Sequence, residues 1–124
     1  MMKDWERLLT KPLKAKLEAN WNEQLPLKGT SKEKDYQPVV KLFSPYRNCT
    51  WLLSEKEPES SICFGLCDLG LGLPELGSVS LEEIGSMRMG KSRVWFVERD
   101  RYWTANKTLS EYASEAREAG AIIA

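Results

Sequence analysis

Four acidic residues are the first candidates for chemistry in this 124-residue sequence, namely Asp68, Glu75, Glu98 and Asp100. Carboxylate oxygens are preferred ligands of Mg²⁺, so a convergent set could hold a metal ion for phosphodiester chemistry. The same carboxylates could instead cap turn amides or pair with neighbouring arginines. The sequence therefore leaves a metal site and purely structural roles both open.

The glycine-rich segment from Phe64 to Gly77 is the most distinctive part of the sequence. Gly70 and Gly72 alternate with leucines, but no Gly-Lys-Ser/Thr follows as it would in a phosphate-binding P-loop. Pro74 also breaks the helix that would follow in a dinucleotide fingerprint. The leucines either fold inward in a wide turn or form an exposed apolar tip that docks a partner. The candidate partner-binding residues are Leu71, Leu73, Asp68 and Glu75.

The run from residue 88 to residue 107 combines six basic residues, two acidic residues and four aromatic rings. Single-stranded nucleic acid is bound by this combination, because cations neutralise phosphates and flat rings stack on bases. An ordinary edge strand, in which arginine stems cover apolar surface, would give the same pattern. The candidate nucleic-acid-binding residues are Arg93, Trp95, Arg99, Arg101 and Trp103.

Histidine is absent from the sequence, which removes the commonest general base and the commonest zinc ligand. Catalysis by a Ser–His or Cys–His pair within one chain is therefore excluded. We nominate no catalytic residue and no cofactor. Whether the chain is an enzyme stays open, with a non-enzymatic role preferred.

Three cysteines, at positions 49, 63 and 67, include a CxxxC pair rather than the CxxC of redox and zinc sites. The first six residues lack the apolar stretch of a secretory signal, and no apolar run approaches the ~20 residues that cross a bilayer. We therefore predict reduced thiols in a cytoplasmic protein without a membrane partner.

The net charge is zero, but the charges are unevenly distributed along the chain. Residues 51–87 carry one basic and seven acidic residues, whereas the flanks 1–50 and 88–124 are both net basic. This distribution indicates either a molecule with two charged faces or self-complementary surfaces.

The length of the chain predicts a single domain over residues 1–124. Helix signals occur near both ends of the chain and in its middle. A helix is predicted over 11–24, because Thr10 is a good N-cap and apolar residues recur every four positions from Leu9 to Trp21. Capping boxes at 80–83 and 108–111 predict a short helix to about residue 87 and a last helix that Gly120 ends.

Five segments between these helices are predicted to be strands, because β-branched, aromatic and other apolar residues are bounded there by turn residues. Their short connections favour an antiparallel meander. The predicted fold is therefore α+β, with a single mainly antiparallel sheet of four to five strands and three helices packed on it. The predicted strands span residues 38–43, 50–55, 61–67, 76–80 and 93–98.

The order of these segments resembles the bacterial family called domain of unknown function 2958, over roughly residues 8–120. The Phe64–Gly77 signature carries most of the resemblance, and the aromatic pair Tyr102-Trp103 departs from the family pattern. The resemblance supplies no catalytic residues. The other matching segments are 38–43 (PVVKLF), 50–53 (TWLL), 79–81 (VSL), 98–100 (ERD) and 109–112 (LSEY).

Members of this family are common on plasmids, phage-like regions and other mobile elements, often near anti-restriction and conjugation genes. The resemblance therefore implies a non-catalytic accessory protein that binds a host or element protein, with anti-defence as one such role. Two alternatives rest on the residues themselves. One is a single-stranded nucleic-acid-binding module that uses the run 88–107, and the other is a metal-dependent phosphodiester enzyme that uses the carboxylates.

Overall fold

One five-stranded antiparallel sheet organises the chain, as seen in a computed structural model that describes residues 2–124. The first four strands form the predicted meander, and the fifth strand pairs with the first, which gives the order β4-β3-β2-β1-β5. The predicted α+β fold is thereby confirmed. The strands are β1 (Val40–Phe43), β2 (Thr50–Lys56), β3 (Ile62–Asp68), β4 (Glu75–Ser80) and β5 (Glu98–Arg99).

Three α-helices accompany the sheet: α1 (Lys11–Gln24), α2 (Leu81–Gly85) and α3 (Leu109–Ala119). The first has the predicted bounds, and the Thr10 hydroxyl accepts a hydrogen bond from the amide of Leu13. The predicted capping box of α3 is present, and Gly120 ends that helix. Two short 3-10 helices, Asp4–Leu8 and Leu25–Leu27, have no counterpart in the sequence-based prediction.

The sheet separates two hydrophobic cores, because neighbouring residues of a strand point to opposite faces. In β2, Trp51 and Leu53 contribute to the core on the α1 side, whereas Leu52 contributes to the core on the α3 side. Ala113 and Ala116 are buried where α3 meets the sheet. Every helix within residues 2–124 falls short of the length and apolar character that spanning a bilayer requires.

A β-bulge interrupts the pairing of β2 with β3. The register shifts between Leu53 and Glu55, so that Ser54 is the extra residue. Gly65 lies opposite Leu53, and a Cβ atom built at this position would lie 2.0 Å from the carbonyl oxygen of Leu52. The two strands therefore approach each other here more closely than a side chain allows.

A buried ion pair joins β2 to α1. Lys56 donates a hydrogen bond from Nζ to Oε2 of Glu18 (2.8 Å) and another to the carbonyl oxygen of Glu57 (3.0 Å). The Lys56 side chain is only 1% exposed. Because a lysine cation this deep has lost its hydration, the Glu18 carboxylate is its main electrostatic compensation.

The predicted strand over 93–98 is wrong except at its last residue. Residues 88–97 form an irregular hairpin instead, with one isolated bridge between Arg88 and Trp95. A continuous strand would have to pair beyond Phe43, where β1 ends and Ser44 and Pro45 follow. Proline has no amide hydrogen to donate, so β5 is restricted to Glu98–Arg99.

Candidate functional site

The segment that links β3 to β4, residues 69–74, is a loop whose leucines are exposed, and we call it the leucine loop. Leu69, Leu71 and Leu73 are 54%, 76% and 74% exposed. Gly70 and Gly72 alternate with them and have φ angles of 78° and 79°, a backbone conformation that few other residues adopt. The alternative in which the leucines fold inward is therefore wrong.

Asp68, the last residue of β3, is buried at the base of the leucine loop. Its Oδ1 accepts a hydrogen bond from the amide of Gly70 (2.8 Å), and its Oδ2 accepts one from the amide of Ile122 (2.9 Å). Both carboxylate oxygens are thus occupied by backbone amides. This arrangement does not support the predicted direct contact of Asp68 with a partner, and it gives Asp68 a structural role.

We expect Asp68→Ala to lower the free energy of unfolding by about 2 kcal/mol, because two backbone amides lose a charged acceptor. Amide hydrogen exchange should accelerate at Gly70 and Ile122 in the variant, which NMR can measure. Glu75→Ala is the control, since Glu75 is exposed at the far end of the loop. If both amides keep their wild-type protection in Asp68→Ala, the anchoring role is contradicted.

β4 is an edge strand, and it continues directly from the leucine loop. Among the residues that the structure describes, β3 is its only partner strand. Residues 75–80 include neither lysine nor proline, which commonly prevent an edge from pairing with another chain. Leu76, opposite Leu66, is 38% exposed. The loop and this edge therefore form one continuous surface that is open to pairing.

The four acidic candidates for a metal site lie at two separate places on the sheet. Asp68 in β3 and Glu98 in β5 are three strands apart in the strand order, which is about 14 Å at the usual spacing. Glu75 belongs to the first place and Asp100 to the second. Within residues 2–124, no three Cys, Asp or Glu side chains are close enough to hold a metal ion. The metal-site alternative therefore has no support in the structure.

A cleft of about 600 Å³ opens between the 3-10 helix Asp4–Leu8, the end of β1 and the residues around β5. We call it the basic-aromatic cleft. It brings together three of the predicted nucleic-acid-binding residues, Trp95, Arg99 and Arg101. Its other lining residues are Arg7, Leu8, Phe43, Glu98, Asp100 and Tyr102.

Trp95 is enclosed between two arginines. The guanidinium carbons of Arg7 and Arg88 lie 3.6 Å and 3.5 Å from the centre of its ring. Two guanidinium groups at these distances would overlap on one face, so each covers a different face of the indole. These cation–π contacts hold the hairpin against the 3-10 helix, and they leave no face of Trp95 free to stack on a base.

Arg7 is held in place by backbone carbonyl groups from distant parts of the chain. Its guanidinium donates to the carbonyl oxygens of Gly85 (2.5 Å) and Val97 (2.8 Å). Burial lowers the pKa of Arg7, and the nearby carboxylate of Asp4 opposes that effect. Arg7 is therefore a structural wall of the cleft.

Tyr102 is the free aromatic ring of the cleft, with 95% of its surface exposed. The chain turns at this point because Oδ1 of Asp100 accepts a hydrogen bond from the amide of Tyr102 (3.0 Å). Aspartate commonly caps a turn two residues ahead in this way. The Asp-x-Tyr spacing is thus a sequence signal for the position of Tyr102, which the predicted set omits.

Trp103 and Arg93 do not line the cleft. Trp103 packs into the α3-side core, where its ring centroid is 6.0 Å from that of Tyr112. Arg93 is exposed in the irregular hairpin, and its carbonyl oxygen accepts a hydrogen bond from Arg88. The predicted base-stacking role of Trp103 is therefore not supported.

In a comparison with known protein families, residues 8–123 match the family described as "Protein of unknown function (DUF2958)". The chain belongs to this family. No curated protein and no solved structure matches it. The DUF2958 match includes the leucine loop and β5, whereas Arg7 lies one residue before it.

The three cysteines of this DUF2958 chain are free thiols. Burial raises the pKa of Cys63 to about 12 and also raises the pKa values of Cys49 and Cys67. All three thiols are therefore protonated near neutral pH, a form that is a poor nucleophile and a poor metal ligand.

Proposed function

We propose that this DUF2958 chain is a non-catalytic interaction protein that docks a second protein through the leucine loop and the edge of β4. The exposure of Leu71 and Leu73 carries this proposal. Burial of a leucine side chain contributes about 1.5–3 kcal/mol, so both tip leucines represent binding free energy that the isolated chain does not use. The two hydrogen bonds of the buried Asp68 anchor the base of the loop, which reduces the entropy lost on docking.

The partner that suits this surface supplies an extended apolar segment. Such a segment can add to the free edge of β4 by backbone hydrogen bonds, while its side chains cover Leu71, Leu73 and Leu76. Glu75 stands at the rim of the surface, and residues 51–87 are strongly acidic. A basic residue beside the apolar segment would therefore add attraction and steer the encounter.

The resemblance to proteins of plasmids and phage-like regions supports an accessory role in a mobile element, exerted in the cytoplasm. The second protein would then be a host or element protein that acts in defence or in DNA processing. Inhibition by occupying such a protein needs no catalytic group on this chain, which accords with the absence of histidine.

Site-specific photocrosslinking in host cells tests the docking surface. A photoreactive residue at position 73 is expected to give a discrete adduct with another protein, whereas one at position 25 gives none. Leu25 is the matched control, because it is 57% exposed and lies in the 3-10 helix after α1. Introducing Leu71→Ser is expected to abolish the adduct at position 73 and to change the free energy of unfolding by less than about 0.5 kcal/mol.

Identical adducts at positions 73 and 25, or none at position 73, would contradict the proposal. An adduct with a second copy of the chain would show that this surface is a homodimer interface. Sedimentation of the purified protein identifies that outcome independently.

A further inference from the structure

We infer that the basic-aromatic cleft binds single-stranded nucleic acid, with Tyr102 stacking on a base and Arg99 and Arg101 contacting phosphates. This site shares no residue with the leucine loop, so the inference does not depend on the docking of a protein there. It also changes the predicted set of binding residues, since arginines cover Trp95 and Trp103 packs against the α3-side core.

Tyr102 supplies the stacking platform. The residue is 95% exposed, and the hydrogen bond from its amide to Asp100 fixes the turn that presents it at the cleft. A base offers a flat face to such a ring only when it is not stacked in a duplex. The exposed ring therefore favours a single strand over a double strand.

Arg99 and Arg101 supply the positive charge next to that ring. Arg99 donates one hydrogen bond to the carbonyl oxygen of Leu8 (2.7 Å), which orients its guanidinium at the wall of the cleft. Arg101 is exposed and forms no salt bridge among the described residues. Guanidinium groups bind phosphate with two parallel hydrogen bonds, so both arginines suit a phosphodiester backbone.

Two carboxylates share the cleft and restrict what it can bind. Asp100 caps the amide of Tyr102, and its Oδ2 lies 3.8 Å from Nζ of Lys41. Glu98 is exposed, and a carboxylate can accept a hydrogen bond from the amino group of a base such as cytosine. The cleft thus offers partners for a phosphate, a base face and a base edge, which a single nucleotide strand presents together.

The cleft also has the size of a binding site and one fixed wall. Its volume of about 600 Å³ falls within the usual range for sites that bind small molecules or a few ligand groups. The enclosure of Trp95 by Arg7 and Arg88 fixes one wall of the cleft, whereas the exposed side chains of Tyr102 and Arg101 become ordered only on binding, which has an entropic cost.

Fluorescence anisotropy with a labelled 12-nucleotide single strand tests the inference. At low salt the wild-type protein is expected to bind, and the Tyr102→Ala variant is expected to bind about tenfold more weakly. Tyr102→Phe keeps the ring and should stay within about twofold of the wild type, since stacking needs no hydroxyl. Because Tyr102 is exposed, neither change should affect thermal unfolding, which circular dichroism checks.

A second set of variants tests the arginines in the same experiment. Arg101→Gln is compared with Arg117→Gln, which is the matched control because Arg117 is exposed in the last turn of α3. Arg101→Gln should weaken binding and reduce the slope of log K against log salt by about 0.7, whereas Arg117→Gln should change neither.

Three results would overturn the inference: no binding at low salt, equal effects of the two arginine variants, or a duplex of the same length bound as tightly. The double variant Leu71→Ser/Leu73→Ser should bind the strand like the wild type, which separates this site from the leucine loop.

Discussion

Replacing Gly65 with alanine is expected to lower the free energy of unfolding by about 4 kcal/mol and the melting temperature by more than about 10 °C. The added Cβ would lie 2.0 Å from the carbonyl oxygen of Leu52 and 3.0 Å from the Cα of Leu53. Both atoms belong to the backbone of β2, so no side chain can move aside. The paired strands would have to separate at the bulge, with loss of ladder hydrogen bonds.

Gly77→Ala provides a control on the adjacent strand. Gly77 pairs with Gly65 across β3 and β4, but a Cβ atom there meets nothing within 4 Å. Its free energy of unfolding should therefore change by less than about 0.5 kcal/mol. Urea unfolding of both variants measures the difference, and equal losses would show that the effect is a general cost of alanine in this sheet.

Glu18→Ala is expected to lower the free energy of unfolding by about 3 kcal/mol, because it leaves the buried Lys56 cation without its carboxylate. Lys56→Met should cost less than Glu18→Ala, because a long apolar side chain can occupy the buried space and the Glu18 carboxylate left behind is 22% exposed, so water can reach it. In the double variant Glu18→Ala/Lys56→Met, most of the loss caused by Glu18→Ala should be recovered. Denaturant unfolding of the four proteins gives the coupling free energy.

A partly exposed ion pair serves as the comparison. Nζ of Lys107 lies 2.5 Å from Oε1 of Glu115, and the two side chains are 35% and 40% exposed, so Glu115→Ala should cost much less than Glu18→Ala. If the effects of Glu18→Ala and Lys56→Met simply add, the destabilisation does not arise from an unpaired buried charge.

Helix ends could be predicted from the sequence because their determinants are local. Thr10 and the capping box of Thr108 and Glu111 each act within one helical turn, so a few neighbouring residues are sufficient evidence. The meander also followed from local signals, since short turns between apolar segments favour pairing of consecutive strands.

The errors concern residues whose partners are distant in the chain. The length of β5 depends on where its partner β1 ends, which is just before Ser44 and Pro45. The residues from 93 to 98 contain no information about that distant proline. Trp95 and Trp103 are both tryptophans and lie only eight positions apart. Trp95 is nevertheless enclosed by arginines, whereas Trp103 packs on Tyr112. Composition alone could not distinguish these environments from that of an exposed ring.

The leucine loop was predicted more fully than the basic-aromatic cleft, because the loop is one continuous segment and the cleft combines segments that are distant in the chain. The alternation of glycine and leucine limited the leucine loop to two arrangements, and the exposure of Leu71 and Leu73 selects one. The basic-aromatic cleft was predicted only as a charge pattern. Arg7 contributes to it from a 3-10 helix of five residues, which is too short for any apolar periodicity to reveal.

The contacts of the basic-aromatic cleft also bear on the order in which the protein folds. Arg7 bonds to carbonyls 78 and 90 residues away, and Arg99 bonds to a carbonyl 91 residues away. Contacts between residues so far apart in sequence have a high entropic cost of loop closure, so they tend to form late in folding. We therefore expect the meander to form before the cleft does during folding. In the native state, opening of the cleft should cost less free energy than opening of the sheet. A ligand that needs the closed cleft would then stabilise the contact of the 3-10 helix Asp4–Leu8 with residues 98–102.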